Sequence, residues 1–550
     1  MRNQVSQWSW PAASGQGAKA LPWLRTPAII LLILAVCFPY FLVEVPPLID
    51  MPGHMGAAAI EAADPSSPLL QYFSWRWLFT LNMGGEVLMK WLVAPVGVLG
   101  AGWWSTFIAT GLLTFGCIAV VRVLNPKGGH GLGWALTFVF SFPLLTGFLN
   151  YILATGLALS AFAGAVWWEK QPRRRAIMLL LVQPVALLCH AIGGILLPML
   201  VFVHELGKLI EERVRAPKEI AQRLFIACWP LGMSLVTIVI WKLMSADQGA
   251  KGGLKWRWMQ KAWSFALSLR DQSMVLDIAT TVACAAIVLL GAFFGARWTW
   301  RRFLPPLAVL ILFAIIPSDI QGSALIDIRL LPVAFMLALG LQDWSGAKAK
   351  IARAVAVGGA VILALRLIAI GNGFLDYKED YARQLQAFQH VPPGARVLVF
   401  VQHSCIQEGW RNTRRDHIAS LASIYREAWV NDNWAVPGLH MLQPTFRPAK
   451  YFAADPSEFV WSRNCSGGKL RNVDSALKRA PVDKVDYVWL IDTGMPQRVD
   501  TRFDLIWQEG NSLLFAVNHL GFQRHLDFPM PGTPDKGSHN TSHNRQVVRD

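Results

Sequence analysis

Pro46-Pro47-Leu48-Ile49-Asp50-Met51-Pro52-Gly53-His54 follows directly on the first stretch of the chain long enough to cross a membrane, residues 27–43. An acid and an imidazole at the mouth of a membrane helix cost solvation energy unless water or a substrate meets them there. The flanking prolines fix the backbone around Asp50. Which way that mouth points, and what gathers round it, follows from the rest of the chain.

The 550 residues are 54% hydrophobic and only 16% charged, with a mean hydropathy of +0.37. A soluble chain is nearer about one-quarter charged, so this is a polytopic membrane protein with its charge gathered in loops and one soluble region. The 25 Trp suit interfacial belts. A net charge of +16 invites a nucleic-acid reading. Before residue 371, however, the basic residues lie mostly in short loops between apolar runs, so topology control explains them and no nucleic-acid partner is expected. Arg2, Lys19 and Arg25 precede an apolar run without a small-residue cleavage site. That is a retained first helix rather than a signal peptide, with 1–26 as a cytoplasmic N-terminus.

Spans are expected at 27–43, 103–123, 131–147, 151–168, 176–189, 191–206, 223–243, 276–296, 303–317, 330–344 and 353–370, about eleven in all. The apolar segment 82–100 is broken by Gly84, Gly85, Pro95 and Gly97, and is expected to lie along or dip into the surface within a long first outer loop, 44–102. With that choice, Arg122, Lys170, Arg173 to Arg175, Lys208, Arg213, Arg301, Arg302 and Lys348 all fall on the cytoplasmic side. Counting 82–100 as a span would invert them, against the positive-inside rule. An odd number of spans places everything after about residue 371 outside, which in a bacterium is the periplasmic side of the inner membrane.

On this topology the polar residues near span ends share one side. Asp50 and His54 follow the first span. Asn150 and His190 sit at outer turns, and Asp319, Asp327 and Arg329 at another. Singly, Asn150 reads as a helix cap, His190 as a satisfied local imidazole and Arg329 as a snorkelling cation. As a set they line one cavity open to the outer leaflet. There Asp50 would serve as a general base, taking a proton from an acceptor hydroxyl as it attacks a sugar carbon. The donor would be lipid-linked, because no nucleotide sugar is expected outside the cytoplasm. Arg329, followed by Leu330-Leu331-Pro332, would hold the leaving phosphate. His54 would bond the acceptor or help to hold a metal. One His and one Asp are too few ligands to define a metal, so the cofactor stays open, with a divalent cation as the candidate. Lys251 to Trp263 mixes cations with Trp and reads as an interfacial helix on headgroups, or else a gate over a polyprenyl-phosphate site.

These residues carry a resemblance. Asp50-x-Pro52-x-His54, the turn from Phe142-Pro143 to Gly147-Phe148-x-Asn150-Tyr151, the outer His190 and Arg329 with its following Pro332 look like the GT-C superfamily of polytopic glycosyltransferases. Its protein O-mannosyltransferases and lipid A aminoarabinose transferases are the examples, and residues 27–370 carry the likeness. The resemblance implies a GT-C-like helical domain, Asp50 as the catalytic base, and inverting transfer from a polyprenyl-phosphate sugar to an envelope acceptor. Asn150, His190, Asp327 and Arg329 would bind substrate. Ile49 and Met51 flank Asp50, so the paired acid of some members is missing. Two other classes stay open. A flippase for lipid-linked glycan would show internal repeats and mid-membrane charge; the chain has no repeat and its charges sit at the rim. A non-catalytic scaffold would make Asp50 dispensable.

From residue 371 to 528 the composition turns polar. Helices are expected over 376–389 and 414–429, and strands over 396–401, 485–491 and 512–517, giving a small α/β periplasmic domain. Asp416, His417, Asp432, His440 and Asp455 are scattered along it without a nucleophile–base spacing. Asn431-Asp432-Asn433-Trp434 reads as a turn, or as a sugar-stacking run. Cys405 and Cys465 are expected to form a disulfide if the domain is extracytoplasmic, whereas the other five Cys are small apolar fillers. Residues 529–550 are expected to be disordered.

Overall fold

The computed structural model describes residues 21–519 apart from 245–252, 321–322, 404, 406–408, 436–439 and 449–450. The expectations for the extreme N-terminus and for the tail 529–550 lie outside the described residues. The longer helices are α1 (Thr26–Cys37), α2 (Met51–Glu61), α3 (Gly84–Leu124), α4 (Leu149–Trp167), α5 (Pro172–Cys189), α6 (Ala191–Glu211), α7 (Pro217–Met244), α8 (Trp258–Leu267), α9 (Met274–Leu290), α10 (Trp300–Ile315), α11 (Leu330–Leu341) and α12 (Ala349–Gln384).

Among the described residues, six helical stretches are long and apolar enough to cross a membrane: α3, α4, α6, α7, α9 with the turn that follows it, and α12 with its extension. Helix α11 and the run Thr26–Leu42 are apolar but shorter. Of the expected spans, 131–147 is not one helix. It divides into short turns at Leu132–Leu136 and Phe142–Thr146. Pro143 has no N–H to give a continuing helix, and Phe142 donates its own to the Ser268 carbonyl at 2.9 Å. The broken segment 82–100 is the first part of α3, which loses helical geometry at Gly97 (φ 71°), two residues after Pro95.

Helix α12 carries straight across residue 371 to Gln384, so the C-terminal domain stands on the last apolar helix without a linker. That domain is built on a sheet of β1 (Arg396–Gln402), β2 (Trp429–Val430), β3 (Phe459–Val460), β4 (Tyr487–Ile491), β5 (Phe503–Glu509) and β6 (Ser512–Val517), in the order β2-β1-β4-β6-β5. Strands β2, β3 and β4 run parallel to β1, and β6 runs antiparallel to β4 and β5. β2 and β3 pair with opposite ends of the same edge of β1. The gap between them is closed by the Asn431 side chain, which accepts from Val399 N at 2.7 Å and donates to Val399 O at 3.2 Å. The helix expected over 414–429 is instead a 3-10 turn (Ile418–Leu421), one helical turn (Ala422–Tyr425) and β2. Glu427, with φ 46°, stops the helical path before β2.

Ion pairs buried between the layers fix the domain on the helices. Arg414 meets Asp271 and donates to Pro47 O at 3.1 Å. Arg366 of α12 meets Asp277 of α9, and Trp410 Nε1 donates to the same carboxylate at 2.7 Å. Helix α2 packs flat on the 418–425 turn because it is lined by small residues. A Cβ at Gly56 would stand 2.8 Å from Ser420 O. Phe73–Trp75, in the first loop, pairs antiparallel with Leu442–Pro444 of the domain.

Candidate active site

The crevice between these layers is a cavity of about 520 Å³. Its floor is the loop leading into α2 and the N-terminal ends of α4 and α6. Its roof lies at the carboxyl ends of the parallel strands, where open α/β sheets leave a crevice for ligands. Of the sequence-derived candidates, Asp50, His54, Asn150, His190 and Arg329 line it. Asp327 does not line it. Its carboxylate accepts from Ser318 Oγ at 2.6 Å, pairs with Lys261 Nζ at 3.0 Å and accepts from Ile328 N at 2.9 Å. Wholly buried and fully engaged, Asp327 holds the turn before α11.

Asp50 stands at the N-cap of α2 without capping it. Its backbone is clamped to the neighbouring turn, with Asp50 N donating to Thr146 O at 2.7 Å and Ile49 N to Leu145 O at 3.2 Å. The carboxylate is therefore free to face the cavity. Burial pushes its pKa well above the ordinary carboxylate range, Asp455 and Asp416 add to that, and Arg329 opposes it. His54, one turn on in α2, is pushed down to about 3 by burial and by His440, so it is a neutral imidazole. It packs edge-on against Trp434, ring centroids 4.8 Å apart.

Arg329 stacks on Phe148, its guanidinium 3.7 Å from the ring centre, and donates to the carbonyls of Leu325 at 3.0 Å and Ala324 at 3.1 Å. The remaining Nη1 lies 3.1 Å from His190 Nε2. His190 Nδ1 caps α6, accepting from Ile192 N at 3.2 Å and Gly193 N at 3.4 Å. An accepting Nδ1 requires the proton on Nε2. Two donors thus face each other at the cavity wall, and an oxyanion set between them satisfies both.

Asn150 accepts from Gly85 N and donates to Glu86 Oε2 at 3.0 Å, so it caps α3 rather than its own helix and aims Glu86 at the cavity. Glu86 escaped the sequence reading, although Gly84-Gly85-Glu86 at a broken apolar segment was its signal.

The larger omission is in the C-terminal domain. His403, Asp416, His417, Trp434, His440 and Asp455 look scattered in sequence, yet all line the same cavity. His403 leaves the end of β1 and bonds Asp416 at 2.8 Å. His417 Nε2 lies 3.9 Å from Asp50 Oδ1. In the Asn431–Trp434 run, Asn431 completes the sheet edge, and Trp434 packs against His54 and His417 and lines the cavity. Behind them, His417, Asp455 and Glu458 place one nitrogen and two carboxylate oxygens within 4.8 Å of one another. Glu458 is fully buried, and its pKa lies well above the ordinary range through burial and the facing Asp455. Nearby Asp432, equally buried, is pushed up to about 8, chiefly by burial. Cys405 and Cys465 are joined in a disulfide beyond the end of β1.

Fold and site together define a polytopic membrane protein whose titratable cavity lies between apolar helices and a C-terminal sheet domain. No family model and no curated protein matches the chain. Among solved structures it is similar to ArnT from Cupriavidus metallidurans bound to undecaprenyl phosphate, at 12% identity and a TM-score of 0.45, over 91% of this chain and 100% of that one. It is also similar to the apo state of the same protein, at 11% identity and a TM-score of 0.42, over 88% and 97%.

Proposed function

We propose that the chain is a membrane glycosyltransferase. It moves a sugar from a polyprenyl-phosphate donor to an envelope acceptor at the periplasmic face of a bacterial inner membrane, with Asp50 as the base. The observation that carries this reading is the facing of Asp50 and the Arg329–His190 donor pair across one cavity at the membrane boundary. The acceptor hydroxyl attacks the anomeric carbon as Asp50 takes its proton. The bond from that carbon to the phosphate oxygen breaks, and the lipid phosphate leaves with the bonding pair. Arg329 and His190 hold the developing charge.

A second feature supports a lipid donor. An apolar groove of about 370 Å³ runs between α9, α10 and α11, and reaches from Leu331 to Ala338 along α11. It begins two residues from Arg329, so a phosphate held there has a dry path for its chain. The side of the membrane is supported by charge. Helix α6 has 21 residues, so about 30 Å separate its ends. At the end away from His190, Arg175 and Lys208 pair with Glu205, and Arg301 with Glu211. That basic cluster opposite the cavity is the cytoplasmic signature. The Cys405–Cys465 disulfide suits an oxidising compartment.

The test is a mass-spectrometric profile of envelope glycans and glycolipids in cells with wild-type protein, a deletion, or Asp50→Asn at equal expression. Loss of the same sugar in the deletion and the variant supports transfer. If the deletion alters the profile and Asp50→Asn does not, transport of the lipid-linked glycan becomes the better account.

A further inference from the structure

We propose that His417, Asp455 and Glu458 form a binding site for one divalent first-row cation, of Zn²⁺ or Mn²⁺ type, with an open coordination position facing the cavity. The three donor atoms lie within 4.8 Å of one another and come from two parts of the C-terminal domain: the turn after Asp416, and the turn 455–458 that leads into β3. Glu458 is wholly buried, yet neither of its carboxylate oxygens has a hydrogen-bond donor. Nδ1 of the buried His417 likewise has no partner. Leaving such groups bare costs a folded protein free energy that a hydrogen bond or a cation must offset.

Among the described residues, no Lys or Arg forms an ion pair with Asp432, Asp455 or Glu458, although these carboxyls share one pocket of charge. Arg471 feels Glu458 but forms no ion pair with it: Nε and Nη2 donate to the carbonyls of Ser457 and Phe459, and Nη1 has no hydrogen-bond partner. A nitrogen and two carboxylates without a protein cation are a set that a borderline metal completes. Three protein ligands with an open position is the pattern of a site that takes water or a substrate oxygen. Here the opening is set by burial: Asp455 and His417 line the cavity, whereas Glu458 closes the site from behind. The site is distinct from Asp50, the proposed base, but His417 touches both.

The experiment uses the full-length protein in detergent, stripped with a chelator and titrated with Zn²⁺ and, separately, Mn²⁺. The readouts are metal content by mass spectrometry and heat of binding. The expected result is about one cation per chain. Affinity should weaken more than ~10-fold in Glu458→Gln and Asp455→Asn, and stay unchanged in Asp50→Asn. Elution volume and unfolding temperature control for folding. If Glu458→Gln does not fold, Asp455→Asn and the absorption spectrum of Co²⁺-loaded wild type decide instead. Absence of uptake by the stripped wild type, or equal uptake by the ligand variants, overturns the site and leaves two carboxyls sharing a proton. Because metal content is read without turnover, loss of transfer in Asp50→Asn with the cation retained separates this site from the proposed reaction.

Discussion

His417 of the C-terminal domain and Asp50 of the first loop approach to 3.9 Å, the point where the two layers of the protein share one electrostatic site. Asp50 alone is an acid at a membrane mouth. Its behaviour is set from above, by Asp416 and Asp455, as much as from below, by Arg329. The C-terminal domain therefore contributes side chains to the site.

Gly147 sets how close Asp50 can come to the turn beneath it. Its φ is 95°, and a Cβ there would stand 3.0 Å from both Cβ and N of Asp50. Gly147→Ala should cost about 1–2 kcal/mol in backbone strain and push the carboxylate outward. The expected outcome is a large fall in kcat with a modest fall in unfolding temperature. Unchanged turnover would show that the position of Asp50 is immaterial.

Arg329→Lys keeps the charge and loses the fork that binds Leu325 O, Ala324 O and the wall beside His190. One charge-assisted hydrogen bond is worth about 1.5–3 kcal/mol, so transfer efficiency should fall roughly tenfold to a hundredfold. Donor titrations of purified protein check this, and wild-type kinetics in the variant would remove Arg329 from phosphate binding.

Much of the lower half of this site was legible in sequence, because a membrane punishes stray polarity. Asp50, His54, Asn150, His190 and Arg329 stand out against apolar runs, and one topology brings them to one side. The soluble half was hidden. His403, Asp416, His417, His440 and Asp455 are ordinary residues in a polar domain, and only the sheet, with Asn431 bridging its edge, draws them together. Asp327 stands outside the cavity. It is as conspicuous as Arg329, but its polarity is consumed by Ser318 and Lys261.

Asp277 accepts from Arg366, Trp410 Nε1 and Asp271 N, so it ties α9, α12 and the C-terminal domain together. Asp277→Asn strands the fully buried Arg366 guanidinium. Breaking one partner of such a pair costs about 3–5 kcal/mol. Thermal unfolding in detergent should fall sharply. The double change Asp277→Leu with Arg366→Met should recover most of the loss, since it removes the uncompensated charge. An unaltered unfolding temperature in Asp277→Asn would mean the pair contributes little.

The His403–Asp416 bond makes the cavity wall sensitive to pH. Burial works against the charged imidazole, but Asp416 at 2.8 Å outweighs it and holds the pKa above its ordinary value of 6.5. A histidine with a higher pKa folded than unfolded binds its proton more tightly in the folded state, so protonation favours folding. The pair's contribution is complete below the unfolded pKa and is lost as pH rises through the folded one. His403→Gln should therefore lower the unfolding temperature more at about pH 5.5 than at about pH 8.5. The gap that persists at high pH should reflect packing of the neutral ring on Phe459 and Trp461, which is independent of the proton. A gap that widens towards high pH would reverse the sign of this coupling.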